Sequence, residues 1–277
     1  MVRSRFSTLL SRAAELGGMT DVVVAGGGLA GLVAARHLAE SGRDVTVFEQ
    51  RSDVGGRVRT AHEDGYTFDR GFQVMFTAYP AAKRELDIEA LSPRTFTPGA
   101  TIASPNHRSV LSDPLRNPSA APQTLLNTDV RTADKLRLFR LQRELANVEP
   151  VELLSRDGRT IREYLADYGF SQRFVERFAA PFYGGITLDR SLGTDSSIFE
   201  YTYKMLSEGE IFVPADGMQA MPRQLADRAR SAGATIETDA AVTDLETHEA
   251  RSLPKWATRR CQPRAPSSRR TRRPRRS

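Results

Sequence analysis

Through its first 250 residues the chain contains no cysteine and no tryptophan; Cys261 and Trp256 both fall in the last 27 residues. That absence excludes a disulfide framework and a thiolate metal site in the body. Histidine is nearly as scarce. His37, His62, His107 and His248 stand apart, with no HExxH-type spacing, so no metal centre is expected. No run approaches the 18 or so apolar residues of a membrane-spanning helix. The expected compartment is the cytoplasm, with peripheral membrane association as the second option. A basic body is missing too, despite a net charge of +6. Residues 251–277 hold eleven basic residues and no acid, which leaves 29 basic against 34 acidic residues, a net of −5, over residues 1–250.

What is present begins with Asp21-Val-Val-Val-Ala25, an apolar β-branched run of the length expected for a buried parallel strand. It leads into Gly26-Gly27-Gly28-Leu29-Ala30-Gly31, a GxGxxG loop. A helical stretch from Leu29 to Ser41 follows, with Gly42 at its C-terminal stop. A second strand, Asp44 to Phe48, ends at Glu49, 18 residues after Gly31. Each part has a physical task. Gly26 permits the tight turn, Gly28 lets the backbone approach a pyrophosphate, and Gly31 lets the helix lie close on the sheet. The unpaired N–H groups and the positive dipole end of the helix then face the phosphates. Glu49 is placed to accept hydrogen bonds from ribose hydroxyls and to repel a 2′-phosphate, which favours FAD or NAD over NADP.

Next come Gln50 and the turn Val54-Gly55-Gly56-Arg57, where backbone and guanidinium are expected to close on the pyrophosphate from the other side. The glycines of Asp64-Gly-Tyr-Thr-Phe-Asp-Arg-Gly-Phe-Gln-Val74 suggest backbone packed against something flat. On these motifs, together with PFYGGITLD (181–189) and VPADGMQAMPRQLA (213–226), the sequence resembles the FAD-dependent amine oxidase superfamily. Within it, the sequence looks like the phytoene-desaturase-like and protoporphyrinogen-oxidase-like branch. The resemblance runs from about Thr20 to about Glu246. It implies an α/β fold: a Rossmann-type FAD-binding domain with an inserted α+β substrate domain. It also implies that Glu49 holds the adenosine ribose, that Arg57 holds the diphosphate, and that Gly71, Phe72 and Gln73 lie near the flavin ring. Val242, in a strand–turn–strand reading of 234–245, would reach the adenine through its backbone. The expected cofactor-binding set is Gly26, Gly27, Gly28, Ala30, Gly31, Glu49, Gln50, Gly55, Gly56, Arg57, Gly71, Phe72, Gln73 and Val242.

The middle of the chain breaks the βαβ pattern. Residues 92–122 read as short strands and loops, and helices are predicted over 134–147, 160–168 and 171–180. Phe170, Phe174, Phe178, Phe182 and Tyr183 are read as a helical core, with the lining of a hydrophobic substrate pocket as the alternative. No catalytic acid–base pair stands out. Asp189, Arg190 and Asp195 are candidates by location only, since a flavin would carry the redox chemistry itself. The expected activity is hydride transfer from a hydrophobic or amine small-molecule substrate to FAD.

The expected organisation is an extension over 1–18 and the first part of the FAD-binding domain over 19–75. A substrate domain over 76–205 follows, then a return to the first domain over 206–250 and a disordered basic tail. The extension carries Phe6, Leu9, Leu10, Ala13 and Leu16 at near-helical spacing. It reads as upstream sequence before Met19 or, alternatively, as a targeting or membrane-surface helix. The tail, RRCQPRAPSSRRTRRPRRS over 259–277, has almost nothing apolar to bury. It is expected to be out of frame: shifted by two bases with GC-rich codons, Ser267–Arg273 becomes Val-Val-Ala-Thr-Asp-Pro-Pro, a strand ending in a turn. The C-terminal part of the fold is therefore expected to be missing, and FAD binding by the chain as written to be weak or absent. Two alternatives accompany this reading. One is a non-catalytic dinucleotide-binding fragment; the other is nucleic-acid binding through the Arg-rich tail.

Overall fold

The computed structural model describes residues 20–71, 73–113, 116–156 and 158–243. Phe72, the N-terminal extension, His248 and the basic tail with Cys261 and Trp256 lie outside the described residues. The chain folds as two compact units. Residues 74–215 form one, and the flanking segments on either side form the other.

The first unit opens with β1 (Val22–Ala25), and Gly26 leaves it at φ +104. Helix α1 (Leu29–Glu40) follows, burying Leu32, Ala35 and Ala39, the three- and four-residue spacing of one helical face. It stops at Ser41, and Gly42 takes the left-handed conformation that ends such helices. β2 (Val45–Phe48) runs parallel to β1 in the register Val22↔Val45 to Ala25↔Phe48. β1 differs from the expected buried strand. It lies at the sheet edge, and Val23 is 40% exposed because only the Val22 and Val24 side meets a packed layer among the described residues. β3 (Thr60–Glu63) and β4 (Tyr66–Asp69) form a hairpin. Asp64 and Gly65 both take positive φ at its turn, as a type I′ turn requires. Gly65 therefore serves the turn.

The second unit carries β5 (Met75–Phe76), α2 (Pro80–Glu85), β6 (Pro93–Thr95) and the hairpin of β7 (Ala100–Ser104) with β8 (His107–Leu111). Helices α3 (Ala121–Leu126), α4 (Thr132–Ala146), α5 (Pro150–Leu154) and α6 (Ile161–Asp167) follow. A helical turn, Gln172–Phe174, then widens into π geometry over Val175–Ala179 and continues as α7 (Ala180–Thr187). The predicted third helix thus runs on to Thr187. The wider register falls directly before Pro181, where the ladder must accept a residue with no N–H. α8 (Ser196–Glu208) and β9 (Ile211–Pro214) close the unit. β9 sits between β5 and β6, so residues 206–215 belong to this unit and not to the returning segment.

The aromatic segment forms core. Phe174 and Phe199 are fully buried, and Phe170, Phe174, Phe178 and Phe182 follow one another at 4.5–5.5 Å, the first and last pairs stacked and the middle pair tilted. Tyr183 meets Phe199 edge-on at 4.6 Å. Such contacts add to the burial of the rings themselves.

On its return the chain forms α9 (Ala220–Ser231) and β10 (Thr235–Glu237), which pairs parallel with β2. The sheet order is β1-β2-β10. Alanines 35, 39, 229 and 234 pack with Val45 and Val47, so the two long helices lie close on one sheet face. No second strand follows within 238–243. Asp239 takes φ +55, and its N–H and that of Ala240 donate to the carbonyls of Arg51 and Glu49. Residues 244–245 lie outside the described residues. No helix among the described residues is long and apolar enough to cross a membrane.

Candidate nucleotide-binding site

Three chain reversals meet at the C-terminal ends of β1, β2 and β10, where open parallel sheets bind ligands. At the first, the Gly26 N–H still donates to the Phe48 carbonyl, 2.8 Å away, while the strand turns out. A side chain on Gly31 would overlap the Gly26 carbonyl and press on Val24 Cγ1, so α1 approaches β1 only because Gly31 lacks one. Gly28 is the opposite case. A Cβ there would meet nothing within 4 Å, and Gly28 caps α1 without a side-chain oxygen. The first turn of α1 carries no acid, and Ala30 is exposed. Donors and dipole therefore face open space, which suits an anion.

Glu49, at the end of β2, is 4% exposed. Its Oε2 accepts from Gly27 N at 2.7 Å and its Oε1 from Arg51 N at 3.0 Å. Each carboxylate oxygen has two lone pairs, so both retain capacity for a further donor. Gly27 is closely surrounded, since a Cβ there would sit 3.2 Å from Glu49 Cβ and from Val54 Cγ1. Its carbonyl accepts from Gly55 N at 2.8 Å, and the second glycine turn therefore stacks on the first. Gly55 and Gly56 take φ +128 and +60. Arg51 Nη1 donates to Gly56 O at 2.7 Å. The Arg57 side chain is exposed and makes no hydrogen bond or ion pair among the described residues; Gln50 is exposed beside Glu49.

Gly71 is exposed at φ +84 with nothing within 4 Å of its would-be Cβ. Gln73 Nε2 donates to Arg70 O at 2.8 Å and, more weakly, to Arg57 O at 3.4 Å. Val242 is half-buried, two residues beyond Ala240, whose N–H holds the Glu49 carbonyl at 2.8 Å. The structure thus brings Gly26–Gly31, Glu49, Gly55–Arg57 and the approach to Val242 together. Gln73 joins the group through its contact with the Arg57 carbonyl, and Gly71 stands two residues before it in the chain.

A supporting network was not foreseen from sequence. Gln219 is 3% exposed. Its Oε1 accepts from Thr60 N at 3.1 Å, and its Nε2 donates to Val54 O at 2.9 Å and Asp53 Oδ2 at 3.1 Å. Arg223 pairs with the same Asp53 oxygen at 2.7 Å. Asp69 Oδ1 accepts from the Thr60 hydroxyl at 2.6 Å and from Met218 N at 2.8 Å. These bonds tie Met218, Gln219 and Arg223 to the β3–β4 hairpin and to the segment that leads into the Gly55-Gly56 turn. Gly217 takes φ +84, and its would-be Cβ would overlap Thr60 Cγ2, so the same contact requires glycine there.

The other charged candidates have structural work. Asp189 accepts from the hydroxyl and N–H of Ser191 and from Gly193 N, which hold its carboxyl below the usual range. Asp195 caps α8 through Ser197 N, and the Ser197 hydroxyl and N–H lower it likewise. His37 lies beside Glu40, His62 beside Thr67 and His107 beside Asp129. No cluster of His, Cys, Asp and Glu fit to hold a metal ion occurs among the described residues.

The model of the flavin containing amine oxidoreductase family matches residues 29–261. A phytoene dehydrogenase of Streptomyces griseus is 28% identical over 83% of this chain and 50% of its own length. An oxidoreductase from Methanosarcina mazei superposes with a TM-score of 0.60 at 20% identity, over 82% of this chain and 53% of that one. A putrescine oxidase solved with putrescine gives 0.53 at 19% identity, over 82% and 52%. The chain spans about half the length of the relatives it matches.

Proposed function

The chain belongs to the flavin containing amine oxidoreductase family, and from that membership we propose that its first unit binds FAD. We propose further that the whole protein oxidises a hydrophobic or amine small molecule. The observation that carries the proposal is the contrast within the loop. Gly31 is filled against the strand, while Gly26 and Gly28 face open space beside a buried, hydrogen-bonded Glu49.

The residues fit the adenosine diphosphate half of the cofactor. The open N-terminus of α1 and the unpaired Arg57 are the groups to receive the diphosphate. Glu49 Oε1 and Oε2 are the acceptors for the ribose hydroxyls, and their charge disfavours a 2′-phosphate. Gly71 and Gln73 are the expected neighbours of the ring, and the backbone at Val242 that of the adenine. FAD supplies the acceptor for a hydride lost by the substrate; the protein's part is to bind, orient and keep water out.

The test uses the protein at the full length of its relatives, under anaerobic conditions, with an apolar polyene and an aliphatic diamine offered in turn. Bleaching of the flavin absorbance by either one supports the oxidoreductase reading. Tight FAD binding with no bleaching by any substrate class would favour the non-catalytic nucleotide-binding module. Strongly salt-dependent DNA binding lost on deleting 251–277 would favour the tail as a nucleic-acid arm.

A further inference from the structure

The turn after α7 combines several departures from ordinary geometry. The helical run that leads to it passes through π geometry over Val175–Ala179, a form concentrated at functional sites. Leu188 then takes φ +57, the left-handed conformation that crowds a Cβ, while 92% of its surface faces solvent. An aliphatic residue gains nothing from either condition.

The surroundings impose both. Asp189 fastens Ser191 and Gly193 through bonds of 2.5–2.9 Å. Leu192, also left-handed at φ +60, is buried in the core, and its carbonyl accepts from Arg162 N at 3.1 Å. Arg162 Nε donates to Ser191 O at 2.8 Å. Strain held this firmly is typical of ligand clamps.

Beside the turn lies an open cleft of about 460 Å³ lined by Pro181, Gly184, Gly185, Leu188 and Arg190. That volume lies within the small-molecule range. Gly184 is required there, since a Cβ would stand 2.9 Å from Arg190 Cα; at Gly185 the space is open. Arg190 is exposed, makes no hydrogen bond or ion pair among the described residues, and is the only charged group lining the cleft.

We infer that this cleft is a substrate-recognition edge for an apolar chain ending in a carboxylate, with Leu188 packing on the chain and Arg190 receiving the acid. The inference rests on the oxidoreductase reading and narrows its substrate class, because a cationic amine would meet Arg190 as a like charge.

The test is fluorescence titration of the full chain with parinaric acid, a conjugated polyene fatty acid, and with its methyl ester. The acid should bind about tenfold more tightly than the ester, the ratio of one charge-assisted contact. Arg190→Leu should bring the acid to the level of the ester and leave the ester unchanged. Leu188→Gly should weaken both several-fold although it relieves the backbone, whereas a purely structural Leu188 would leave binding intact. Arg143→Leu, an exposed arginine on α4, should change neither. Equal binding of acid and ester, no binding of either, or an equal loss in the Arg143 variant would overturn the inference. FAD titrated separately distinguishes the two readings. FAD binding without acid binding removes this inference alone; acid binding by a full-length protein whose flavin no substrate bleaches removes the oxidoreductase reading and leaves the cleft.

Discussion

Gly28 and Gly31 are three residues apart, and the same substitution at each should act on different properties. Gly31→Ala forces a methyl group into the Gly26 carbonyl, so thermal or urea unfolding should show a loss of about 1–3 kcal/mol, the usual cost of overpacking. Gly28→Ala finds empty space at φ −78. Its stability should change by less than about 1 kcal/mol, the scale of an N-cap effect. Its methyl group would nevertheless stand where the diphosphate is proposed to lie, so nucleotide affinity should fall. Loss of stability at Gly28, or of affinity alone at Gly31, would reverse these roles. Glu49 shows how far the sequence could be read at this scale. Its spacing of 18 residues from Gly31 marks it as the acid of the unit, but not that it accepts from Gly27 N and Arg51 N. Glu49→Ala would strand both donors, and a loss of about 1–3 kcal/mol is expected from that desolvation alone.

At the scale of elements, local signals were legible and long-range ones were not. Thr160 and Glu163 form a capping box at the start of α6, a pattern contained within four residues. Thr160→Ala should lower stability by about 1 kcal/mol in chemical denaturation. Gln219 and Thr60, by contrast, are 159 residues apart, and no periodicity in either segment points to the other. Gln219→Ala should cost more than the cap, about 1–3 kcal/mol, because Thr60 N and Val54 O would be buried unpaired. β1 was misread for a related reason: a run of valines does not tell which of its faces another layer covers. The hairpin β7–β8 has its own pH signature. The Ser109 hydroxyl, with His107 and Arg177, holds the buried Asp129 carboxyl below its ordinary value. A depressed carboxylate contributes stability that is present above its unfolded value of about 3.9 and lost as pH falls through the folded one. Urea midpoints should therefore decline on the acid side of pH 4, and Asp129→Asn should flatten that decline while lowering stability at pH 7.

At the scale of the molecule, the division at 73/74 and 215/216 follows from strand pairing. β2 carries β1 and β10 in one sheet, and β9 carries β5 and β6 in another. The residues proposed to face the nucleotide lie wholly in the first unit, so the proposal about them stands apart from the substrate and from the half-length by which the relatives exceed this chain. The most direct test is calorimetric titration of the purified 277-residue chain with FAD, ADP and NADP, alongside Glu49→Ala. The account predicts that FAD and ADP bind with similar affinity, since both offer the same diphosphate and ribose. NADP should bind at least tenfold more weakly, and the Glu49 variant should lose FAD and ADP alike. A folded chain that binds FAD or ADP equally well without Glu49, or that binds NADP as tightly as FAD, would contradict it.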